Sequence, residues 1–247
     1  MATNEKHTSV WLITPQTNLH VGNESIVNFS VIDKAIQRDV TTGFPCINSS
    51  SLKGAIKEYL TIKADNETKK EEIVKKEKEI VKLFGSIKKT KDEQEKTDES
   101  KDKQKTKENK KGSALFFDAT LLAIPEQKTK GNSPYQLVYS EKVINDFLAK
   151  AKVLGVTINI DTSKWEKNNK DFEELCSDDN LPIIARNCLE NGESTNLWYE
   201  QVLPAQSVLA TIIQTNGEDD LKELENAIVQ IGANATIGYG YCKFIKL

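Results

Sequence analysis

GFPCINSSSLKG, residues 43–54, is where the chain turns into its first helix. Gly43 and Pro45 punctuate a turn, and Ser49, Ser50 and Ser51 follow with the hydroxyl side chains that favour helix starts. Behind them Leu52, Ala55, Ile56, Tyr59 and Leu60 recur at i, i+3, i+4, i+7 and i+8, which predicts a helix over 51–63 with one buried face. Free first-turn amides, serine hydroxyls and Lys53 would together form an anion site, suited to a phosphate and, in series, to a nucleic acid. Serines serving only as N-caps explain the same residues. Taken alone, the stretch leaves both readings open.

Working outward, 10–14 reads as a strand ended by Pro15. Residues 71–84 set Ile73, Val74, Ile80 and Val81 among charges, with Glu72 and Lys76 four apart, which predicts a solvated amphipathic helix. ALFFDATLLAI at 114–124 reads as a long strand stopping at Pro125. Ser140 is expected to cap a helix whose buried face is Val143, Ile144, Phe147, Leu148, Ala151 and Leu154, closed by Gly155. QSVLATIIQ at 206–214 is a β-branched strand, 219–231 a helix with Leu221, Leu224, Ile228 and Ile231 on one face, and 237–245 a final strand. With 126–205 set aside as an insertion subdomain, the order is β-α-β-β-α-β. This predicts a single α+β domain over 1–247, a ferredoxin-like (RRM-like) core with large insertions. Such a sheet often supports RNA, but the strands carry no stacking-aromatic signature, so loops holding an RNA backbone are the expected mode.

Composition narrows the function classes. A length of 247 residues with 38% hydrophobic and 29% charged residues suits a soluble domain with an ample core. No apolar run is long enough to cross a bilayer and no signal peptide is visible, so a cytoplasmic protein without membrane attachment is expected. Cys46, Cys176, Cys188 and Cys242 form no CxxC pair, and with only His7 and His20 beside them a zinc site is not expected. The segment 86–112 holds ten lysines against seven acids and one large apolar residue, Ile87, so a disordered low-complexity insertion is expected there. With a net charge of −3 overall, any RNA must be met by a local basic track.

Two further segments could carry chemistry. IGANATIGYG at 231–240 is rich in glycine, which lets backbone approach a ligand closely, yet it lacks GxGxxG order and no Walker lysine follows. A helix C-cap at Gly232 accounts for part of it. The other segment, 18–43, is long for a connection and contains His20, Asp33, Lys34, Arg38 and Asp39. Asp33 could hold a divalent metal or take a proton from a ribose 2′-hydroxyl, or simply be solvated.

Together LHVG at 19–22, VIDKAIQRDVTTGFPCINSSSLKGAIKEYL at 31–60, FFDATLLAIP at 116–125, LWYEQVLP at 197–204 and QIGANATIGYGYCKF at 230–244 resemble, in order, the RAMP superfamily. Within it they are most similar to the repeated backbone (Cas7-type) subunit of type III-B CRISPR effectors, the Cmr complex. The resemblance implies an antiviral subunit that binds CRISPR RNA and stacks with other copies of itself and other Cmr subunits. A thumb would displace nucleotides at intervals, with target RNA cut opposite each one. It implies that Asp33 is the catalytic residue and metal ligand, working with a divalent ion such as Mg2+ or Mn2+. It further implies that Arg38, Ser50, Ser51 and Lys53, with Gly232, Ala233 and Asn234 of the glycine-rich loop, contact RNA. The family often has a glycine pair where this chain has Gly232-Ala233, and the family pattern has no counterpart to 86–112. The thumb is expected within 20–50, with 126–205 as the rival. His20 is expected as a structural hydrogen-bonder, Glu200 as a holder of its motif loop, and Trp198 and Tyr199 as core or subunit-contact residues. A scaffold that binds guide RNA without cutting it is the alternative function. A processing enzyme of the same superfamily is a third, disfavoured because only His20 is placed to serve it.

Overall fold

The computed structural model describes residues 6–23, 32–86 and 111–247. Its centre is a sheet of β1 (His7–Pro15), β4 (Ala119–Gln127), β9 (Val208–Thr215) and β11 (Tyr241–Lys246), all antiparallel, in the spatial order β11-β1-β9-β4. The last strand thus lies beside the first, as a βαββαβ chain requires when its two halves interleave. The protein is mixed α+β, consistent with a ferredoxin-like core carrying insertions. Apolar residues of these strands, among them Trp11, Ile13, Leu121, Leu209 and Phe244, are almost fully buried.

Helix α1 (Ser49–Asp65) follows β2 (Cys46–Ile47) and buries Leu52, Ile56, Leu60 and Ala64, the stripe its periodicity predicts. Asn48 occupies the N-cap position without a side-chain cap bond. The Ser49 amide donates to Asp118 Oδ1 at 2.6 Å, so part of the expected anion site is already taken by a carboxylate. Helix α2 (Lys70–Phe84) packs against α1 and buries Ile80, Leu83 and Phe84.

Three predicted elements differ. The strand expected over 114–124 is two pieces, β3 (Leu115–Phe116) and β4, and β4 runs on through Pro125. Strand β9 ends opposite Ala123, so Pro125 has a neighbour on one side only, where a missing N–H is tolerated. The helix expected over 219–231 is absent: a short 3-10 turn at Lys222–Leu224 leads into the edge strand β10 (Ile228–Gln230). Asp220 accepts the amides of Asn216 and Gly217 at 3.2 and 2.9 Å, and Asn226 sits at φ 58, which interrupts any helix. Val229 and Ile231 are buried around a half-buried Gln230, a period of two that the i, i+3 pattern concealed. The final strand begins only at Tyr241, because Gly238 and Gly240 hold positive φ.

Residues 126–205 contribute β5 (Tyr135–Tyr139), α3 (Glu141–Val153), β6 (Trp165–Lys167), α4 (Asn169–Leu175), β7 (Ile183–Glu190) and β8 (Glu193–Gln201). Strands β5 and β6 extend the main sheet beyond β4, whereas β7 and β8 form a separate hairpin. Ser140 precedes α3 without capping it; Asn169 Oδ1 accepts the Glu141 amide instead. The disorder expected for 86–112 falls almost wholly on 87–110, outside the described residues. Its base is described: Gly85 bridges Lys111, and the amides of Ser113 and Ala114 donate to Lys82 and Leu83 at 2.9 and 3.0 Å. All four cysteines are free, and burial pushes the thiols of Cys46, Cys176 and Cys242 up to about 12.

Candidate nucleic-acid interface

Two stretches of the 18–43 segment are bridged into a ribbon. The Asn23 amide donates to Ala35 O and the Gln37 amide to Val21 O, both at 2.9 Å. The far side of the ribbon meets the end of β8: the amides of Asp33 and Lys34 donate to Tyr199 O at 3.1 and 3.2 Å, and Gln201 N donates to Lys34 O at 2.9 Å. Asp33 is exposed, and its Oδ2 accepts the Tyr199 amide at 2.8 Å. The carboxylate is therefore held by main chain through one of its two oxygens.

Behind it lies Glu200, only 1% exposed. Its Oε1 meets Lys34 Nζ at 3.1 Å and Trp198 Nε1 at 2.7 Å; its Oε2 meets Arg186 at 3.3 Å and Asn234 Nδ2 at 2.7 Å. Burial alone pushes this carboxyl up, but hydrogen bonds from Trp198, Lys34 and Asn234 outweigh it and bring it down to about 2. The Lys34 ammonium and Arg186 guanidinium also lie 5.2 and 5.5 Å from the Trp198 ring centre. Trp198 is thus occupied within the chain. Glu200 ties the Asp33–Lys34 segment, the β7–β8 hairpin and the glycine-rich loop into one unit.

His20, 3% exposed, approaches the Gln201 carbonyl with Nδ1 at 2.7 Å, and its own carbonyl accepts the Ala233 amide at 2.9 Å. The glycine-rich loop is seated on that carbonyl: a Cβ on Gly232, at φ +81, would stand 2.3 Å from His20 O. Ala233 is not among the residues at positive φ, so alanine is unstrained there. Asn234 is, at φ 66, a conformation asparagine tolerates.

Ser51 and Gly232 come together across a groove of about 400 Å³, lined also by Val21, Gly22, Gln37 and Gln230. Gln37 Nε2 donates to Ser51 Oγ at 3.0 Å, pinning the helix start to the ribbon. Lys53 and Ser50 make no side-chain hydrogen bond or ion pair among the described residues and are open to a ligand. Arg38 is placed differently: Nη1 donates to the carbonyls of Gly43 and Cys176, both at 2.7 Å, and Nη2 lies 2.6 Å from Asp178. That guanidinium clamps the 39–43 turn to the end of α4, away from the groove. Gln37, Gln230, Arg186 and Gln201 carry no mark in the sequence: Gln201 meets His20 from 181 residues away, and the other three meet Ser51, Tyr239 and Glu200 at no helical or strand spacing.

Among the described residues, no cluster of three or more His, Cys, Asp or Glu side chains could hold a metal ion. Asp33 offers one carboxylate, which suits an ion completed by phosphate oxygens and water, as Mg2+ commonly is.

The family model of the RAMP superfamily matches residues 12–243. The chain belongs to the RAMP superfamily. Among solved structures, the type III-B Cmr-beta complex bound to cognate target RNA contains a similar chain, at 20% identity, TM-score 0.67 and 97% coverage of both chains. Its apo state matches at 18% identity, TM-score 0.69 and the same coverage. Oligomeric Cmr4 from Pyrococcus furiosus matches at 18% identity and TM-score 0.63 over 98% of each chain. In sequence, no curated protein matches. At these identities the likeness is one of fold. No described helix is long and apolar enough to cross a membrane.

Proposed function

We propose that this RAMP protein is a backbone subunit of a type III-B CRISPR ribonucleoprotein, which grips CRISPR RNA, stacks along it with further copies and other Cmr subunits in the cytoplasm, and cuts complementary target RNA at Asp33. The observation that carries this reading is one extended stretch, 33–37: it lines the groove at Gln37, where it pairs with Val21, and presents Asp33 four residues further back, within about 13 Å of extended chain. Ser50, Ser51 and Lys53 at the head of α1 and Gly232, Ala233 and Asn234 of the loop supply the guide contacts. Hydroxyls, a lysine and main chain recognise phosphate and sugar whatever the base. The β7–β8 hairpin, with Leu189 and Leu197 exposed along it, serves as the thumb.

Cleavage uses the target's own 2′-hydroxyl. Its oxygen attacks the adjacent phosphorus and closes a 2′,3′-cyclic phosphate, the bond to the 5′-oxygen breaks and that oxygen takes a proton from water to leave as a 5′-hydroxyl, and the 2′-proton passes to the Asp33 carboxylate and on to the hydroxide left behind. Asp33 is also the residue that would hold a divalent ion, which when bound would supply neutralisation of the charge developing at the phosphate. The Tyr199 amide fixes the carboxylate, and a nucleotide splayed by the hairpin brings attacking and leaving oxygens into line. Replacing Asp33 by alanine should leave guide binding and assembly intact while cleavage falls by at least about a hundredfold, read on a labelled target RNA with the reconstituted complex. Undiminished cleavage by that variant would sink the assignment.

A second reading, a guide-binding scaffold that does not cut, is favoured by one observation: among the described residues Asp33 belongs to no cluster of three metal-ligating side chains, and one of its oxygens already accepts the Tyr199 amide. Wild-type complex that binds target but never cleaves it, at any Mg2+ or Mn2+ concentration, supports that reading instead.

A further inference from the structure

The groove between α1 and the glycine-rich loop has lining residues beyond those assigned to phosphate. Ser51, Gly54, Ala55 and Glu58 fall at i, i+3, i+4 and i+7 and make one wall; Gly22, Gln230 and Gly232 stand opposite. Among the described residues, neither lysine nor arginine lines it. Beside the Ser51 hydroxyl, which accepts from Gln37 and keeps its own proton to donate, the uncommitted polar side-chain atoms it presents are acceptors. Glu58 is exposed and has no ion pair or side-chain hydrogen bond among the described residues. Gln230 commits Nε2 to the carbonyls of Ile231, Gly232 and Tyr239, at 3.4, 3.0 and 3.3 Å, and its Oε1 accepts no hydrogen bond among the described residues. Helical side chains lean over the preceding turn, so Glu58 reaches back toward Gly54 and Ser51. Gly54 keeps that space open: a Cβ there would meet nothing within 4 Å.

Acceptors without a cation repel phosphate and receive hydroxyl or amine donors. Along RNA the bases differ in their donors, and a subunit that carries guides of any sequence cannot depend on them. The ribose 2′-hydroxyl is the donor present at every nucleotide and missing from DNA. We propose that Glu58 accepts a hydrogen bond from a guide 2′-hydroxyl seated in this groove, while Ser51 and Lys53 hold a neighbouring phosphate, and that Glu58 thereby selects RNA over DNA. This rests on the RNA-binding reading above and adds to it the residue that sets sugar specificity.

The test compares an oligouridine RNA with the 2′-deoxyuridine strand of equal length, which differ only in the 2′-hydroxyl. Binding is followed by fluorescence anisotropy at one salt concentration. Wild type should prefer RNA. Glu58→Ala should lose about tenfold in RNA affinity, the worth of a hydrogen bond to a charged group, with deoxy-strand affinity unchanged or slightly higher. Glu58→Gln, which keeps a neutral acceptor, should retain part of the preference. Gly54→Leu, an exposed helix position where leucine is the better helix former, should block the groove and weaken both strands. An unchanged RNA-to-DNA ratio in Glu58→Ala, equal losses on both strands, or wild-type RNA affinity in Gly54→Leu overturns the inference. Wild type binding both strands equally overturns it alone. Wild type binding neither overturns the RNA-binding reading as well.

Discussion

Glu200 is a buried carboxylate whose charge three segments of the chain depend on. Its folded-state carboxyl lies at about 2, below its ordinary 4.5, so its contribution is complete above about pH 4.5 and is lost as pH falls toward 2. A depression of that size corresponds to about 3 kcal/mol. Thermal melts taken between pH 5 and roughly pH 2.5 should therefore fall more steeply for wild type than for Glu200→Gln. At neutral pH that variant should be about 2 kcal/mol less stable, since Lys34, Arg186 and Asn234 lose a charged acceptor. Parallel pH profiles for the two proteins would refute the account. In the sequence Glu200 is visible only as a member of LWYEQVLP. What it does depends on partners at 34, 186 and 234, which no spacing connects.

At the scale of elements, the glycine-rich loop and the 219–231 stretch behave in opposite ways. The loop's glycines were legible as places of close approach, and Gly232 is one: its missing Cβ admits the His20 carbonyl. Gly232→Ala should cost about 2 kcal/mol or more, from contact and from positive φ together, seen as a clear drop in melting temperature. Ala233→Gly, restoring the family's glycine pair, should change stability by only about 1 kcal/mol or less, because Ala233 holds an ordinary backbone conformation. The 219–231 stretch, by contrast, has a helical spacing of leucines that serves no helix. Asp220 and Asn226 divert the backbone locally, and the pairing of Ile228, Val229 and Gln230 with β11 supplies the hydrogen bonds a helix would have made.

For the whole molecule, the interleaved sheet joins residues from both ends of the chain, β1 to β9 and β11, and the two ends of the lysine-rich insertion meet where Gly85 bridges Lys111. Replacing 87–110 with a four-residue Gly-Ser linker should keep the fold and raise stability by up to about 1.5 kcal/mol, the entropy of closing a shorter loop. Denaturant melts should show this, and RNA binding should be unchanged; a loss of cooperative unfolding would mean the insertion packs on the body.

The sequence by itself determined the α+β class, the superfamily, α1 with its buried stripe, and the close approach at Gly232, because each is written in local periodicity or in contiguous motifs. Only the tertiary structure decided that Arg38 faces inward, that Glu200 binds three distant segments together, that 228–230 is an edge strand, and that Ser51 and Gly232 face one another across a groove with Glu58 in its wall. Those facts depend on which remote groups the sheet brings within hydrogen-bonding distance. Such distances are set by strand order and packing, which neighbouring residues do not encode.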